Sequence, residues 1–596
     1  MATEPLRTRH AATLGPDDAG SEVRVAGWAG RVRDQGGVVF VDMRDVSGIV
    51  QVVFQPESAG ELMEAAHDLR REYCISVGGR VRPRPAGTEN PDLATGGIEV
   101  EATALDVLSP AEVLPFQVDG RVDVAEERRL QYRYLDLRTP RMTANLRARS
   151  TAIRAMRRVL DQLGFLEVET PTLVASTPEG ARDMLVPSRL RPGTFYALPQ
   201  SPQLFKQLLM IGGIERYYQV ARCYRDEDFR SDRQVEFTQL DLEGSFWGQE
   251  GVLATLEEVV VAVVAETRGV VLERPFPRMT YAESMSRFGT DKPDLRFGME
   301  IVDLSQVLAA TEFKAFAAVL EAGGVVRAIN AGPREAARSI LDGYAERAKE
   351  LGAKGLVWLV VEPDGSLRSP VAKFLGAGEQ EAIKAALGAG PGDVLLMVAD
   401  EARVAAPVLG QLRLHLGRPS GHEELRFLFV VDFPVFEVTD DGGLAPAHHP
   451  FTAPVSVDEM RHSPQTALSK SYDMVLNGSE LGSGSVRIHD PAVQAEVFDV
   501  LGISQEMAQR RFGWFMDALR YGTPPHAGFA IGVDRLISIL QNEDNIREVM
   551  PFPKTQTGAD PLTGSPTRVE EIQLAELGID VRPEVRAAWL ANETSE

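Results

Sequence analysis

The sequence predicts an α+β protein of several domains: a strand-rich barrel, then a domain built on an antiparallel sheet, with an α/β segment inserted into it. Three observations carry this expectation. Residues 1–107 run in short apolar or alternating stretches broken by Gly-Gly and Ser-Gly turns, with one helical segment among them. Residues 217–243 read as two strands around a charged loop, an arrangement that pairs antiparallel. Between residues 303 and 421 helical and strand-like segments alternate and few polar groups converge. A chain of 596 residues has length for more than one core.

The totals narrow the classes. Apolar and charged fractions of 44% and 25% are those of a globular protein. No apolar run is long enough to cross a bilayer, and MATEPLRTRH lacks the apolar segment of a secretion signal. Cys74 and Cys223, the two cysteines, lie far apart without ligand-like partners, which argues against a disulfide framework and for a cytoplasmic protein. A formal charge of −23 excludes indiscriminate coating of nucleic acid, but not a nucleic-acid partner met by local Lys and Arg.

Taken in order, residues 1–107 offer five strands and the helical ESAGELMEAAHDLRREY, the pattern of an OB-fold barrel, whose face commonly holds single-stranded nucleic acid. Arg31, Arg33, Phe40 and Gln51 could supply phosphate pairing, base stacking and base-edge hydrogen bonds, although Phe40 equally suits a core position. Residues 108–140 form a linker rich in Pro and charge. From Met142 to Leu163 the residues Leu146, Ile153, Met156, Val159 and Leu160 make one apolar stripe of a helix; Gly164 stops it and a strand, 165–171, follows. The loop after it holds a lone carboxylate, Glu179, which fits either a lid or an ordinary turn.

In QSPQLFK, Ser201 is placed to cap a helix with Pro202 at its first position. Lys206 then lies near a helix N-terminus, where it opposes the dipole, a mismatch that points to pairing with a ligand carboxylate. The following hairpin should turn Arg225, Glu227, Gln234, Gln239 and Asp241 to one surface; cations beside carboxylates there suit a polyphosphate carrying a base and sugar. Beyond the insertion, His448 and His449 are adjacent and so diverge, which weakens a zinc reading. Asp473 and Glu480 could meet Mg²⁺, Gly482 and Gly484 admit a ligand close to the backbone, and Arg487 can grip a carboxylate from two sides. GFAIGVDR, residues 528–535, is a strand entering a helix, and 556–596 is a polar appendage.

These strings carry a resemblance. Tyr224-Arg225-Asp226-Glu227 within YRDEDFRSDRQVEFTQLD resembles the second signature motif of class II aminoacyl-tRNA synthetases, in its aspartyl form. The helix, glycine and strand ending at Pro171 resemble the first motif, around which the family dimerises, and GFAIGVDR the third. GWAGRVRDQGGVVFVDMRDVSGIVQVVF, QSPQLFK and GAKGLVWLVV are similar to bacterial aspartyl-tRNA synthetases. The resemblance implies an OB-fold anticodon domain (1–107), a hinge (108–140), an antiparallel-sheet catalytic domain in two parts (141–302 and 422–555), an inserted domain (303–421) and a C-terminal extension (556–596).

It implies a homodimer that activates L-aspartate with ATP and Mg²⁺ and transfers it to tRNA(Asp); whether tRNA(Asn) is charged as well stays open, since Gln35 in the first barrel loop fits neither known pattern. Arg225, Glu227 and Arg535 would be catalytic. Asp226, Gln234, Glu480, Gly532, Val533 and Asp534 would join them around ATP. Glu179, Ser201, Gln203, Lys206, Arg225, Asp241, His448, His449 and Arg487 would surround aspartate, Asp473 and Glu480 the metal, and Arg31, Arg33, Gln35, Phe40 and Gln51 the anticodon. Asparagine would be rejected because it leaves Lys206 and Arg487 unpaired. The alternatives are an asparaginyl or lysyl enzyme of the same subgroup, or a non-catalytic tRNA-binding paralogue.

Overall fold

A computed structural model describes residues 5–57, 60–176, 181–439 and 441–587, which divide into two compact units, Met1–Ala144 and Asn145–Glu596. In the first, strands β1 (Glu22–Gln35), β2 (Val38–Asp45), β3 (Gly48–Phe54), β4 (Cys74–Pro83) and β5 (Ile98–Ser109) close a barrel in the order β1-β2-β3-β5-β4. Helix α1 (Gly60–His67) sits between β3 and β4. Alternation decides what faces inward: Val39, Val41 and Met43 enter the core, so Phe40 between them is turned out of it. Gly36 and Gly37, at φ 64° and 87°, make the tight left-handed turn that joins β1 to β2.

The second unit is organised on an eight-stranded sheet. Its strands are β6 (Leu166–Glu167), β7 (Arg216–Tyr224), β8 (Glu236–Ser245), β9 (Arg278–Thr280), β10 (Phe427–Val431), β11 (Ser471–Leu476), β12 (Ser479–Val486) and β13 (His526–Gly532), in the order β9-β10-β11-β12-β13-β8-β7-β6. The six inner strands pair antiparallel; the short edge strands β6 and β9 pair parallel to β7 and β10. The strand expected over 165–171 contracts to Leu166–Glu167.

Period two divides this sheet sharply. Leu240, Leu242, Phe529 and Ile531 enter the core with the apolar faces of helices α2 (Pro140–Gln162), α4 (Gln249–Arg268) and α5 (Val533–Leu540). Gln239, Asp241 and Glu243 therefore stand on the opposite face, flanked by α3 (Gln203–Ile211). A second, five-stranded sheet occupies the insertion, in the order Val302–Asp303, Val325–Pro333, Asp393–Asp400, Val357–Val361, Leu367–Arg368, with helices before and after its strands. All its pairings are antiparallel, although helices and strands alternate along the chain. It buries an apolar cluster on each face, Val394, Leu396 and Val398 on one and Leu395 and Met397 on the other.

Candidate active site

The polar face of the eight-stranded sheet opens into a cavity of about 410 Å³. At its deep end lie two buried cations. Lys206, on α3, places Nζ 2.6 Å from Asp241 Oδ1 and 3.2 Å from Glu243 Oε2. Arg487, just past β12, donates through Nε to Glu243 Oε1 at 3.0 Å and through Nη2 to Oε2 at 3.2 Å. A third donation, Nη1 to Ser485 Oγ at 2.7 Å, fixes the guanidinium plane.

Glu243 was not expected as a site residue, although the alternation Gln239-Asp241-Glu243 puts it on that face. Gly528 on β13 makes room for it, since a Cβ there would fall 1.9 Å from Glu243 Oε2. The deep pocket is thus a neutral set of two cations and two carboxylates, and the expectation of bare cations awaiting a ligand carboxylate needs correction. Burial opposes charge on Glu243, yet Arg487 and Lys206 hold its carboxyl below the usual range. Burial pushes Asp241 up, even beside Lys206.

Four buried polar atoms on this cavity have no hydrogen-bond partner among the described residues: Gln203 Nε2, Arg225 Nε, Asp241 Oδ2 and His449 Nε2. Such orphans are expensive unless something binds there. Burial, with Arg487 and Lys206 nearby, lowers His449 to about 3, so its ring is neutral. Its Nδ1 accepts from Phe451 N at 3.4 Å, which leaves the proton on Nε2 as a donor.

Arg225 and Arg535 line the other end. Arg225 stacks over the Phe237 ring at 5.1 Å, and Phe237, not among the expected site residues, also lines the cavity. Arg233 pairs with Glu227 at 3.2 Å across the loop. Arg535, at the start of α5, donates to the Glu480 carbonyl and lies 3.2 Å from Asp232.

Glu480, which lines the cavity, belongs to a carboxylate triad with Asp291 and Asp473, one oxygen of each lying within 4.8 Å of the others. Asp473 and Glu480 were expected; Asp291, from a loop before the insertion, was not. Three convergent carboxylates suit a hard divalent cation such as Mg²⁺. Burial pushes Asp473 up to about 6, and Glu480 and Asp291 add to this, a crowding that a cation relieves. Lys292 partly offsets it, at 3.2 Å from Asp291 and 3.8 Å from Glu480.

Several expected residues do other work. Gln234 lines the cavity, but its amide exchanges two hydrogen bonds with the Lys554 backbone, at 3.2 and 2.9 Å, so it anchors the loop. Asp534 also lines the cavity, and it accepts from Arg149 at 2.5 Å and from Thr238 N at 2.7 Å, tying α5 to α2 and β8. Val533 is in the core, and the carboxylate of Asp226 points away toward Arg182, at 3.7 Å. His448 lines the cavity with Nε2 on Asp473 at 3.0 Å. Ser201 does not cap α3: the helix starts at Gln203 with Pro202 as its N-cap, and Ser201 Oγ accepts from Gln203 N at 3.3 Å. Glu179 lies outside the described residues.

On the barrel, Arg33, Gln35, Phe40 and Gln51 line one concavity of about 420 Å³ together with Arg82, Arg84 and Glu99. Gln51 Nε2 donates to Glu99 at 2.9 Å, and Arg82 pairs with Glu99 at 2.9 Å. Arg31 lines a different cavity of the same unit, with Arg44 and Arg70.

Comparison with known proteins agrees with this geometry. The family described as tRNA synthetases class II (D, K and N) matches residues 125–556, and an OB-fold nucleic acid binding domain matches 23–108. An aspartate–tRNA(Asp/Asn) ligase of Thermobifida fusca is 50% identical, over 97% of this chain and 99% of its own. A ligase of the same name from Rubrobacter xylanophilus is 51% identical, over 97% and 98%. Among solved structures, an asparaginyl-tRNA synthetase of Pyrococcus horikoshii complexed with asparaginyl-adenylate superposes with a TM-score of 0.59 at 21% identity, covering 92% of this chain and 99% of that one. At that identity the likeness speaks for the fold. Among the described residues no helix is long and apolar enough to cross a membrane.

Proposed function

Since the chain belongs to the class II tRNA synthetases of the D, K and N group, we propose that it activates L-aspartate with ATP and transfers it to tRNA(Asp) and tRNA(Asn). The observation that carries the choice of amino acid is the pair of buried cations, Lys206 and Arg487, in the same cavity as Arg225 and Arg535. A dicarboxylic amino acid is the ligand such a pocket selects. Its side-chain carboxylate displaces Glu243 from part of its contact with Arg487 and Lys206, and its ammonium meets the unpaired Asp241 Oδ2. His449 Nε2–H and Gln203 Nε2 donate to the carboxylates.

The α-carboxylate oxygen then attacks the α-phosphorus of ATP. The bond from that phosphorus to its bridging oxygen breaks, and the electron pair leaves with pyrophosphate, giving aspartyl-adenylate. Arg225 holds the α-phosphate, Phe237 offers its ring to the base, and Arg535 takes the terminal phosphate. Glu227 holds the nucleotide opposite Arg233. No side-chain nucleophile is needed; positioning and fixed positive charge supply the rate. Asp291, Asp473 and Glu480 would hold Mg²⁺, which neutralises polyphosphate charge when bound. The terminal ribose hydroxyl of tRNA next attacks the aspartyl carbonyl and releases AMP.

Phe40, Gln51 and the Arg33, Arg82 and Glu99 network read anticodon bases by stacking and by edge hydrogen bonds. The names of the ligases at about 50% identity support a dual tRNA specificity. Leu166 and Leu173, half exposed around the edge strand β6, support a homodimer through that edge, and a cytoplasmic setting fits its substrates. Aspartate-dependent pyrophosphate exchange, run against asparagine and lysine, tests the amino acid. Separate charging of purified tRNA(Asp) and tRNA(Asn) tests the tRNA. Exchange with asparagine alone would overturn the reading.

A further inference from the structure

A second cavity, of about 700 Å³, adjoins the first. The two share Asp232, Arg233, Glu480, Arg535 and Ile546, and the second contains none of Lys206, Asp241 or Arg487. It therefore meets the active site at the end away from the buried cations, with Arg535 in the shared wall.

Five cations line it: Arg230, Arg233, Lys292, Arg418 and Arg535. Of these, Arg535 pairs with Asp232, Arg233 with Glu227 and Lys292 with Asp291. Of the other carboxylates, Glu543 accepts from Asn145 at 2.8 Å and Glu480 belongs to the acidic triad, so Arg230 and Arg418 face Asp544. Arg418 is held only loosely, 3.7 Å from Asp294 and 3.4 Å from the Asn477 carbonyl, and two-fifths of its side chain is exposed. Arg230 is exposed on the hairpin loop.

In-line displacement expels the leaving group opposite the attacking carboxylate. With aspartate at the Lys206–Arg487 end, pyrophosphate departs past Arg535, into this second cavity. We infer that the cavity is a product subsite for pyrophosphate, in which Arg418 and Arg230 hold the polyanion after the bond to the α-phosphorus has broken. The inference rests on the adenylate-forming reading above. Pyrophosphate enters and leaves by this route, and the adenylate stays in the first cavity.

The test is aspartate-dependent exchange with pyrophosphate as the varied substrate, in Arg230→Ala, Arg418→Gln and the double variant. The double variant should raise the KM for pyrophosphate about tenfold, the loss of charge-assisted contacts at a partly exposed site, with the KM for aspartate unchanged. Arg418→Lys should recover most of the loss. A KM for pyrophosphate within about twofold of wild type in the double variant overturns the subsite, and so does an equal rise in the KM for aspartate, which would report general distortion. Absence of exchange in the wild-type protein would instead overturn the proposed function, so the two failures are distinguishable.

Discussion

Arg487 and Glu243 meet in a two-point ion pair across β12, β13 and β8, and the Glu243 oxygen that accepts from Arg487 also takes the Lys206 ammonium. On the proposed function, amino-acid selection is an exchange of counter-charges inside this cluster. An incoming carboxylate competes with Glu243, whereas a neutral amide lacks the charge to do so and leaves the cluster closed on itself. Arg487→Leu should abolish aspartate-dependent exchange. It should also cost about 3–5 kcal/mol of stability, because Glu243 remains buried with only Lys206 to answer two carboxylates. Urea unfolding and exchange assays read the two effects separately, and near-normal exchange would remove Arg487 from the site.

Arg535 and Asp534 are adjacent, but the geometry gives them unlike roles. Arg535 faces the cavity, so Arg535→Ala should raise the KM for ATP with little change in the melting temperature. Asp534 accepts from Arg149 and from the Thr238 backbone. Asp534→Ala leaves the buried Thr238 N–H without its acceptor and the part-buried Arg149 without its carboxylate, and should cost about 1–3 kcal/mol. Paired kinetics and thermal melts on the two variants check the division; a selective ATP defect in a fully stable Asp534→Ala would reverse it.

The polar face of the sheet was legible because period two is a local rule: Gln239 and Asp241 alternate with Leu240 and Leu242 whatever the rest of the chain does. Lys206 showed itself through an unfavourable place in its helix. Glu243 obeyed the same alternation and was still missed, because nothing local distinguishes a carboxylate facing Arg487, 244 positions later, from one facing water. Asp291 was hidden for a similar reason, its partners being 182 and 189 positions away. Gln234 and Asp534 lie inside recognisable motifs, from which ligand contacts are expected of both. Only the folded chain shows that their polar atoms are held by Lys554 and Arg149.

Acid should reach the loop that carries Asp291 through Asp294. Burial opposes charge on Asp294, but Arg296, at 2.9 and 2.6 Å, with its backbone N–H, holds the carboxyl below the usual range. A depressed folded pKa means that this carboxylate stabilises the fold fully above its unfolded value of about 4 and less as pH falls through the folded one. Asp294→Asn should lower stability at pH 7 and flatten its decline below about pH 4. Urea melts across that window decide it, and parallel curves for wild type and variant would discard the role.

Removing one carboxylate from the acidic triad should weaken divalent-cation binding without closing the nucleotide site. Asp291→Asn leaves Asp473 and Glu480 in place and relieves the crowding that raises Asp473. Lys292, 3.8 Å from Glu480, then becomes a stronger competitor for the remaining pair. The variant should need about tenfold more Mg²⁺ for half-maximal exchange, the loss of one ligand among few. Mn²⁺ binding followed by paramagnetic resonance should weaken in step, in the absence of any turnover. Exchange that saturates at the wild-type Mg²⁺ concentration would take Asp291 out of the proposed Mg²⁺ site and leave Asp473 and Glu480 as its proposed carboxylates.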